Sequence, residues 1–270
     1  MPAAPSEDAS MPQIIPLPAF TDNYVWAIRE GDRAAVVDPG DAVPVRDWLR
    51  REGVALAAIL VTHHHRDHTG GIVDLLRDAP VPVIGPAREA IPGRTRAVAE
   101  GDRFDLPGIG LPLEVLDIPG HTAGHVAFFG RGAAWGGPIV FCGDTLFAGG
   151  CGRVFEGTPR EMWASLCALA ALPGDTRVCC GHEYTLANLR FASAVEPGHP
   201  EIVERAARES AKRARGLPTL PSTIAEERAT NPFLRAREPR VRAIAEARSG
   251  HPLADDAAVF AALREWKNAT

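Results

Sequence analysis

Histidine and carboxylate side chains in one short segment could bind a metal ion. The segment, THHHRDH at 62–68, follows an apolar run of five residues. In an extended chain alternate side chains lie on the same side, so His63, His65 and Asp67 would converge on one side, and His68 would follow immediately at the turn. Imidazole and carboxylate are ligands for Zn²⁺ and other divalent first-row metals. A solvated polar loop is the alternative, but this spacing after a predicted strand favours a metal site.

Three further segments place ligand-type residues after apolar runs: PGHTAGH at 119–125, CGDTLF at 142–147 and CGHEY at 180–184. In the first, the flanking glycines and proline indicate a turn, so we expect His121 to be the ligand. His125 opens the next run and is expected to make structural hydrogen bonds. Asp144 follows a buried strand, where a charge is costly unless a cation compensates it. A turn-forming role is the alternative for Asp144. His182 also follows a predicted strand.

Four strand ends therefore supply seven candidate metal ligands: His63, His65, Asp67, His68, His121, Asp144 and His182. Seven ligands are too many for one tetrahedral ion. They fit two ions that share one carboxylate and a bridging water, a pair that can activate that water for attack. The chain has no G-x-S-x-G sequence, the motif of a nucleophilic serine. Its glycine-rich segment 149–153 lacks the spacing of a phosphate-binding loop.

The elements that must position these residues form a mixed α/β region with strands in two groups, followed by a helical segment. Predicted strands cover 13–17, 23–29, 34–37, 57–61, 81–84, 113–118, 125–129, 139–142 and 177–180. Predicted helices cover 42–51, a stretch beginning at 72, a stretch from a capping box at 158–161 to 172, and 183–194, 201–215, 240–248 and 255–267.

The 270-residue chain has the composition of an ordinary globular protein and a net charge of −5. Residues 1–200 carry a net charge of −8, and residues 201–270 carry a net charge of +3. The basic part could contact nucleic acid or another anion, or form a solvated helical surface. No apolar run is long enough for a membrane span. Five cysteines without CxxC spacing favour a reducing compartment, the cytoplasm. Residues 1–11 are predicted to be a disordered tail rather than a signal peptide.

The motifs, in this order, resemble the metallo-β-lactamase superfamily, whose αββα sandwich has a metal site at one edge of two packed sheets. The later motifs GDTLF-AGGCGR, GHEYT-x-x-NL-x-FA, TNPFLR and LR-x-x-K resemble the glyoxalase II (hydroxyacylglutathione hydrolase) family, from 13 to 267. The resemblance implies a mixed α/β (α+β) fold: a metallo-β-lactamase-like αββα domain over 12–182, and an α-helical substrate-binding domain over 183–270.

The resemblance also implies roles for individual residues. It assigns one metal to His63, His65 and His121, and a second to Asp67, His68 and His182, with Asp144 bridging. It assigns glutathione binding to Arg153, Tyr184, Arg264 and Lys267. Cationic side chains suit the two carboxylates of glutathione. The chain departs from the family pattern at Phe155, where a tyrosine is usual, and at Arg153, where a lysine is common.

The expected activity is hydrolysis of S-D-lactoylglutathione to D-lactate and glutathione, within methylglyoxal degradation. A metal-bridging hydroxide would attack the thioester, oriented by Asp67 and Asp144. The expected cofactor is a pair of divalent metal ions. Zinc is the expected metal, and iron and manganese are alternatives that the same ligands accept. We expect a monomer with no nucleic-acid or membrane partner.

Three alternatives are a mononuclear-iron glutathione persulfide dioxygenase, a nucleic-acid hydrolase of the same superfamily and a non-catalytic metal-binding module. The seven ligands and the C-terminal helices favour hydrolysis over the first and the third. The arginine-rich 201–250 lacks the aromatic residues of a strand-binding surface, which disfavours the second.

Overall fold

The structure is a computed structural model that describes residues 11–270. The predicted disordered tail therefore lies outside the described residues except for Met11. Two six-stranded sheets pack face to face, and a two-stranded hairpin is inserted in the chain between two strands of the second sheet. Most of the helices of the C-terminal part follow both sheets in the chain.

The first sheet has its strands in chain order. They are β1 (Gln13–Ala19), β2 (Asn23–Glu30), β3 (Arg33–Val37), β4 (Ala55–Leu60), β5 (Val83–Pro86) and β6 (Arg96–Val98). The first three strands pair antiparallel, and β3 to β6 pair parallel. Because β3 and β4 are parallel neighbours, the segments that follow them emerge at the same edge of the sheet.

The second sheet has the order β14-β13-β10-β9-β8-β7. Its strands are β7 (Arg103–Asp105), β8 (Pro112–Asp117), β9 (Val126–Gly130), β10 (Ile139–Gly143), β13 (Arg177–Cys180) and β14 (Ser222–Thr223), and the hairpin consists of β11 (Leu146–Phe147) and β12 (Gly150–Cys151). Strands β10 and β13 are parallel, and β9 is antiparallel to both β8 and β10. The carboxyl ends of β8, β10 and β13 therefore share one edge.

The helices cover the sandwich and build the C-terminal part. They are α1 (Ala42–Glu52), α2 (Arg66–Thr69), α3 (Ile72–Asp78), α4 (Pro159–Ala170), α5 (Thr185–Val195), α6 (Pro200–Ala214), α7 (Ile224–Thr230), α8 (Pro239–Ser249) and α9 (Asp256–Asn268), with a 3₁₀ turn at Ala133–Trp135. Helix α4 begins with the predicted capping box between Thr158 and Glu161. No helix of the described chain combines the length and apolar character of a membrane span.

Alternate side chains along a strand belong to two different apolar clusters. In β2, Trp26 and Ile28 face the cluster between the sheets, whereas Val25 and Ala27 face a smaller cluster under α1 and α3. This period of two is what a strand covered on both faces requires. The predicted αββα sandwich with C-terminal helices is confirmed.

The structure corrects the prediction for 62–68. The chain is extended only as far as His65, and Arg66–Thr69 forms the helical turn α2, in which the Gly70 amide bonds the Arg66 carbonyl. Asp67 therefore does not continue the period of two from His63, and a helical turn rather than an extended chain carries Asp67 and His68 to the site. Strands β6, β7 and β14 and helix α7 were also not predicted.

Candidate metal centre and substrate cleft

The seven candidate ligands meet at the edge where the strands of both sheets end. His63, His65, Asp67 and His68 follow β4 of the first sheet. The other three follow β8, β10 and β13 of the second sheet: His121, Asp144 and His182. Backbone hydrogen bonds join the two sheets here. The Val126 amide donates to the Thr62 carbonyl (3.0 Å), and the Tyr24 amide donates to the Gly181 carbonyl (2.8 Å). The site is therefore assembled across the sandwich.

The ligand atoms form two groups. In each, the candidate atoms lie within 4.8 Å of one another: His63, His65 and His121 in one group, and Asp67, His68 and His182 in the other. In the first, His65 Nδ1 and His121 Nε2 are 3.0 Å apart. In the second, Asp67 Oδ2 lies 3.4 Å from His182 Nε2 and 3.6 Å from His68 Nε2. Each group offers three ligands, as sites with open positions for water or substrate do.

Asp144 lies between the two groups. Its Oδ1 is 3.3 Å from His68 Nε2, and its Oδ2 is 3.2 Å from His182 Nε2 and 3.6 Å from His121 Nε2. Its backbone amide donates to His125 Nε2 (3.1 Å), while His125 Nδ1 lies 3.1 Å from the Val126 carbonyl. His125 thus makes the structural hydrogen bonds expected of it and holds the carboxylate in place.

Hydrogen bonds to the outer ring nitrogens fix four of the histidines in one tautomer. The outer Nδ1 lies 2.9 Å from the Arg153 carbonyl in His121 and 2.8 Å from Asp22 in His182. In His68 it lies 3.1 Å from Asp38 Oδ2. In His63 it lies 3.0 Å from Thr62 Oγ1, which donates its own proton to Asp38 and can therefore only accept. Each Nδ1 carries a proton, so Nε2 is the nitrogen of each ring that is left to bind a metal ion.

Three buried polar atoms at the site make no hydrogen bond of acceptable geometry: His63 Nε2, His68 Nε2 and Asp144 Oδ1, although the last two lie 3.3 Å apart. Buried polar groups are almost always paired, so unpaired atoms need an explanation. All three belong to the candidate ligand set, so a bound cation would satisfy them. The residues present thus fit divalent metal ions, in number and in chemistry.

The pKa shifts agree with cation binding. Burial lowers the pKa of His63, His65 and His121, which keeps these imidazoles neutral and able to ligate. Burial would raise the pKa of Asp144, but the nearby histidines outweigh it and hold that pKa well below its usual range. The hydrogen bond with His182 likewise lowers the pKa of Asp67. Two ionised carboxylates therefore face three neutral imidazoles.

Burial lowers the pKa of the two remaining histidines, but neighbouring carboxylates reverse that effect. Asp144 and Asp38 hold the pKa of His68 well above its usual value. Hydrogen bonds with Asp144 and Asp67 raise the pKa of His182 to about 10. In the absence of metal, protons on these two rings balance the carboxylates, and metal binding must displace them.

Two glycines allow the strand ends to approach this closely. A Cβ at Gly181 would lie 2.5 Å from Asp144 Oδ1 and 2.6 Å from His68 Cε1. A Cβ at Gly143 would lie 2.3 Å from Thr62 Oγ1, and Gly143 has a φ of 48°, in the left-handed region that favours glycine. Larger residues here would push the ligand-bearing segments apart.

A cleft of about 440 Å³ opens over the metal ligands. Its far wall comes from α9, where Arg264 Nη1 donates to the Cys151 carbonyl (2.9 Å) and Lys267 Nζ donates to Asn188 Oδ1. Burial lowers the pKa of Lys267 to about 8. The cleft is therefore lined both by cationic groups of α9 and by ionised carboxylates and imidazoles.

The remaining predicted substrate residues also line this cleft. The Tyr184 ring stacks on His182, with centroids 4.7 Å apart and planes 5° apart. The Arg153 side chain is exposed at the mouth. Phe155 is 60% exposed and its ring lies 5.3 Å from His121 and 5.8 Å from His65. All eleven predicted site residues are thus brought together around one cleft.

Sequence reasoning missed the residues behind the ligands. The sequence motifs assign no role to Asp38, Asp22 or Asn23. Asn23 Nδ2 donates to Asp67 Oδ2 (3.0 Å), and Asp22 orients His182 as described above. The signal that could have found Asp38 is the one that found Asp144, an aspartate directly after an apolar strand.

Comparison with known proteins identifies the family. Residues 19–182 match the model of the metallo-beta-lactamase superfamily, and residues 183–270 match the model described as the hydroxyacylglutathione hydrolase C-terminus. The hydroxyacylglutathione hydrolase of Cupriavidus taiwanensis is 58% identical over 266 residues, which cover 96% of this chain and 99% of that protein.

Solved structures share the fold. ETHE1 from Myxococcus xanthus has a TM-score of 0.62 at 23% identity, covering 96% of this chain and 99% of that one. TTHA1623, solved in a di-iron-bound form, has a TM-score of 0.52 at 31% identity, covering 62% of this chain and 91% of that one. The chain belongs to the hydroxyacylglutathione hydrolase (glyoxalase II) family of the metallo-β-lactamase superfamily.

Proposed function

We propose that this protein hydrolyses S-D-lactoylglutathione, and related 2-hydroxyacyl glutathione thioesters, to D-lactate and glutathione in methylglyoxal degradation. The observation that carries the proposal is the composition of one cleft. Candidate ligands from both three-ligand groups line it together with Asp144 and with the side chains of Arg264 and Lys267. The full-length relatives named hydroxyacylglutathione hydrolase support the same reaction.

The metal-binding roles follow the two groups. His63, His65 and His121 would hold one divalent ion, and Asp67, His68 and His182 a second, with Asp144 shared. Such ions, when bound, supply positive charge that lowers the pKa of water and stabilises an oxyanion. Zinc is the proposed metal, with iron and manganese as alternatives that the same ligands accept. The di-iron form of TTHA1623 supports two metals at a site of this fold.

Asp67 and Asp144 are the proposed catalytic carboxylates. Both are ionised, and Asn23 and His125 restrict their movement by hydrogen bonds to the Asp67 carboxylate and the Asp144 backbone. They can therefore accept hydrogen bonds from the attacking water and hold it in line with the thioester carbonyl. Held reactants need less reorganisation in the transition state.

The substrate-binding roles follow from charge. Glutathione carries two carboxylates, and Arg153, Arg264 and Lys267, which line the cleft, supply cationic donors for them. Tyr184, stacked on His182, would also contact the substrate. We propose that residues 12–182 form the metal-binding domain and 183–270 the substrate-binding domain.

The test is hydrolysis of S-D-lactoylglutathione by the purified, metal-loaded protein, followed by thiol release and accompanied by metal analysis. We expect turnover that is lost on chelation and restored by divalent metal. No turnover above a metal-free control would refute the proposal. Oxygen consumption with glutathione persulfide would instead support the mononuclear-iron alternative, for which the full-length relatives offer no support.

We also propose a cytoplasmic monomer. All five cysteines are free, and four of them are buried, which suits a reducing compartment. Light scattering of the purified protein tests the oligomeric state.

A further inference from the structure

The β11–β12 hairpin lies in the chain between a candidate metal ligand and a candidate substrate-binding residue. Asp144 lies just before it and Arg153 just after it. Its last residue, Cys151, gives its carbonyl to Arg264 Nη1 (2.9 Å), and the Arg153 carbonyl accepts from His121 Nδ1 (2.9 Å). Within the hairpin itself, Cys151 is thus the residue that contacts Arg264, whereas Arg153, which contacts His121, lies outside it.

Side chains from the C-terminal part hold the tip of this hairpin. The Gly149 amide donates to Glu227 Oε2 (2.7 Å). Asn231 Nδ2 donates to the Gly150 carbonyl (2.8 Å) and the Phe147 carbonyl (3.2 Å). A two-stranded hairpin is only marginally stable alone, so these contacts replace the neighbouring strands it lacks.

Glu227 is itself fixed by a buried ion pair. It is 0% exposed, and its Oε1 accepts from Arg205 Nη2 (2.6 Å), whose side chain is 2% exposed. Arg205 Nη1 donates in turn to Thr230 Oγ1 (2.6 Å). Breaking a buried pair leaves an uncompensated charge, so Glu227 is not free to turn away from the hairpin.

We infer that Glu227, held by Arg205, is a positioning residue that sets the substrate-binding wall of the cleft through the Gly149 amide. Neither charged residue lines the cleft, so both act through the hairpin. The expected effect is on substrate affinity, because the hairpin carries the Cys151 carbonyl that orients Arg264. The expected change in KM rests on the proposed function, whereas the hydrogen bond between Glu227 and the Gly149 amide does not.

The test is Glu227→Gln, which keeps the shape of the side chain and removes its charge. We expect KM for the thioester to rise about tenfold, the loss of one charge-assisted hydrogen bond, with kcat within a factor of about two. Metal content should stay at the wild-type value, and hydrogen exchange of the hairpin amides should accelerate. The double variant Arg205→Met, Glu227→Gln removes both charges and leaves no unpaired ion. It should give the same KM as the single variant Glu227→Gln.

Thr230→Val is the matched control, because it removes a partner of Arg205 without contacting the hairpin. It should lower Tm while KM stays unchanged. An unchanged KM or unchanged exchange in the folded Glu227 variants would overturn the inference, as would an equal rise of KM in Thr230→Val. If the wild-type protein does not hydrolyse the thioester, the proposed function fails, and the exchange measurement alone decides the inference.

Discussion

Replacing Asp38 with asparagine should weaken binding at both metal positions, although Asp38 belongs to neither proposed ligand set. Its carboxylate is 4% exposed and accepts from the Thr62 amide (2.7 Å), the Thr62 hydroxyl (2.7 Å) and His68 Nδ1 (3.1 Å). The Thr62 hydroxyl in turn accepts from His63 Nδ1. One side chain thus sets the tautomer of a histidine in each metal group.

The size of the effect follows from the two bonds to Oδ2. In Asp38→Asn one oxygen still accepts from the Thr62 amide, but an NH₂ group faces the hydroxyl and His68 Nδ1. Two charge-assisted hydrogen bonds are lost, each contributing about 1.5–3 kcal/mol. His68 can restore one of them by moving its proton to Nε2, but that nitrogen is its metal-facing atom. These bonds are lost with or without metal, so their sum overstates the effect on metal binding; losing a hydrogen-bond partner of a metal-ligating histidine lowers metal affinity roughly 10–100-fold, and we expect a fall of that size.

The assay is metal content by mass spectrometry after equilibration with a graded series of a competing chelator. Asp41→Asn is the matched control, since Asp41 caps α1 through the Val43 amide and asparagine caps helices equally well. It should retain metal like the wild type. If Asp38→Asn holds metal as tightly as Asp41→Asn does, the tautomer argument is wrong.

Three further predictions concern the cleft. The pKa of Lys267, about 8, means that its positive charge is present below pH 8 and lost above it, so kcat/KM should decline as pH rises through 8, while Lys267→Arg should not show this decline. Gly181→Ala, which places a Cβ 2.5 Å from Asp144 Oδ1, should lose bound metal, whereas Gly174→Ala, with its Cβ 3.5 Å from the nearest atom, should not; metal analysis of both proteins decides. Arg264→Ala combined with Lys267→Ala should raise KM far more than it lowers kcat, and an unchanged KM in steady-state assays would place the glutathione site elsewhere.

The sequence predicted the ligand-bearing strand ends because apolar strands and polar ligands contrast sharply. The run before His63 and the run before Asp144 are continuous and apolar, as strands buried on both faces are. The shape of 62–68 was harder to predict. Four residues, Arg66–Thr69, form the turn α2, which is too short for a helical period to be visible.

Other elements lack a local signal for a different reason. Strand β6 has three residues, two of them exposed, and its existence depends on pairing with β5. Helix α7 contains the polar sequence IAEERAT, whose Glu227 is buried only because Arg205 of another helix meets it. Such contacts are set by tertiary structure, which no short window of sequence contains.

The division of the ligands between two sheets has a consequence for how the chain acquires its metals. His63 precedes His182 by more than a hundred residues, so during synthesis the first group of histidines exists long before the last ligand does. Closing so long a loop is entropically unfavourable unless the intervening chain has folded. Tight metal binding therefore has to wait until both sheets are folded and packed, and a chain halted before the final strands would hold metal only weakly.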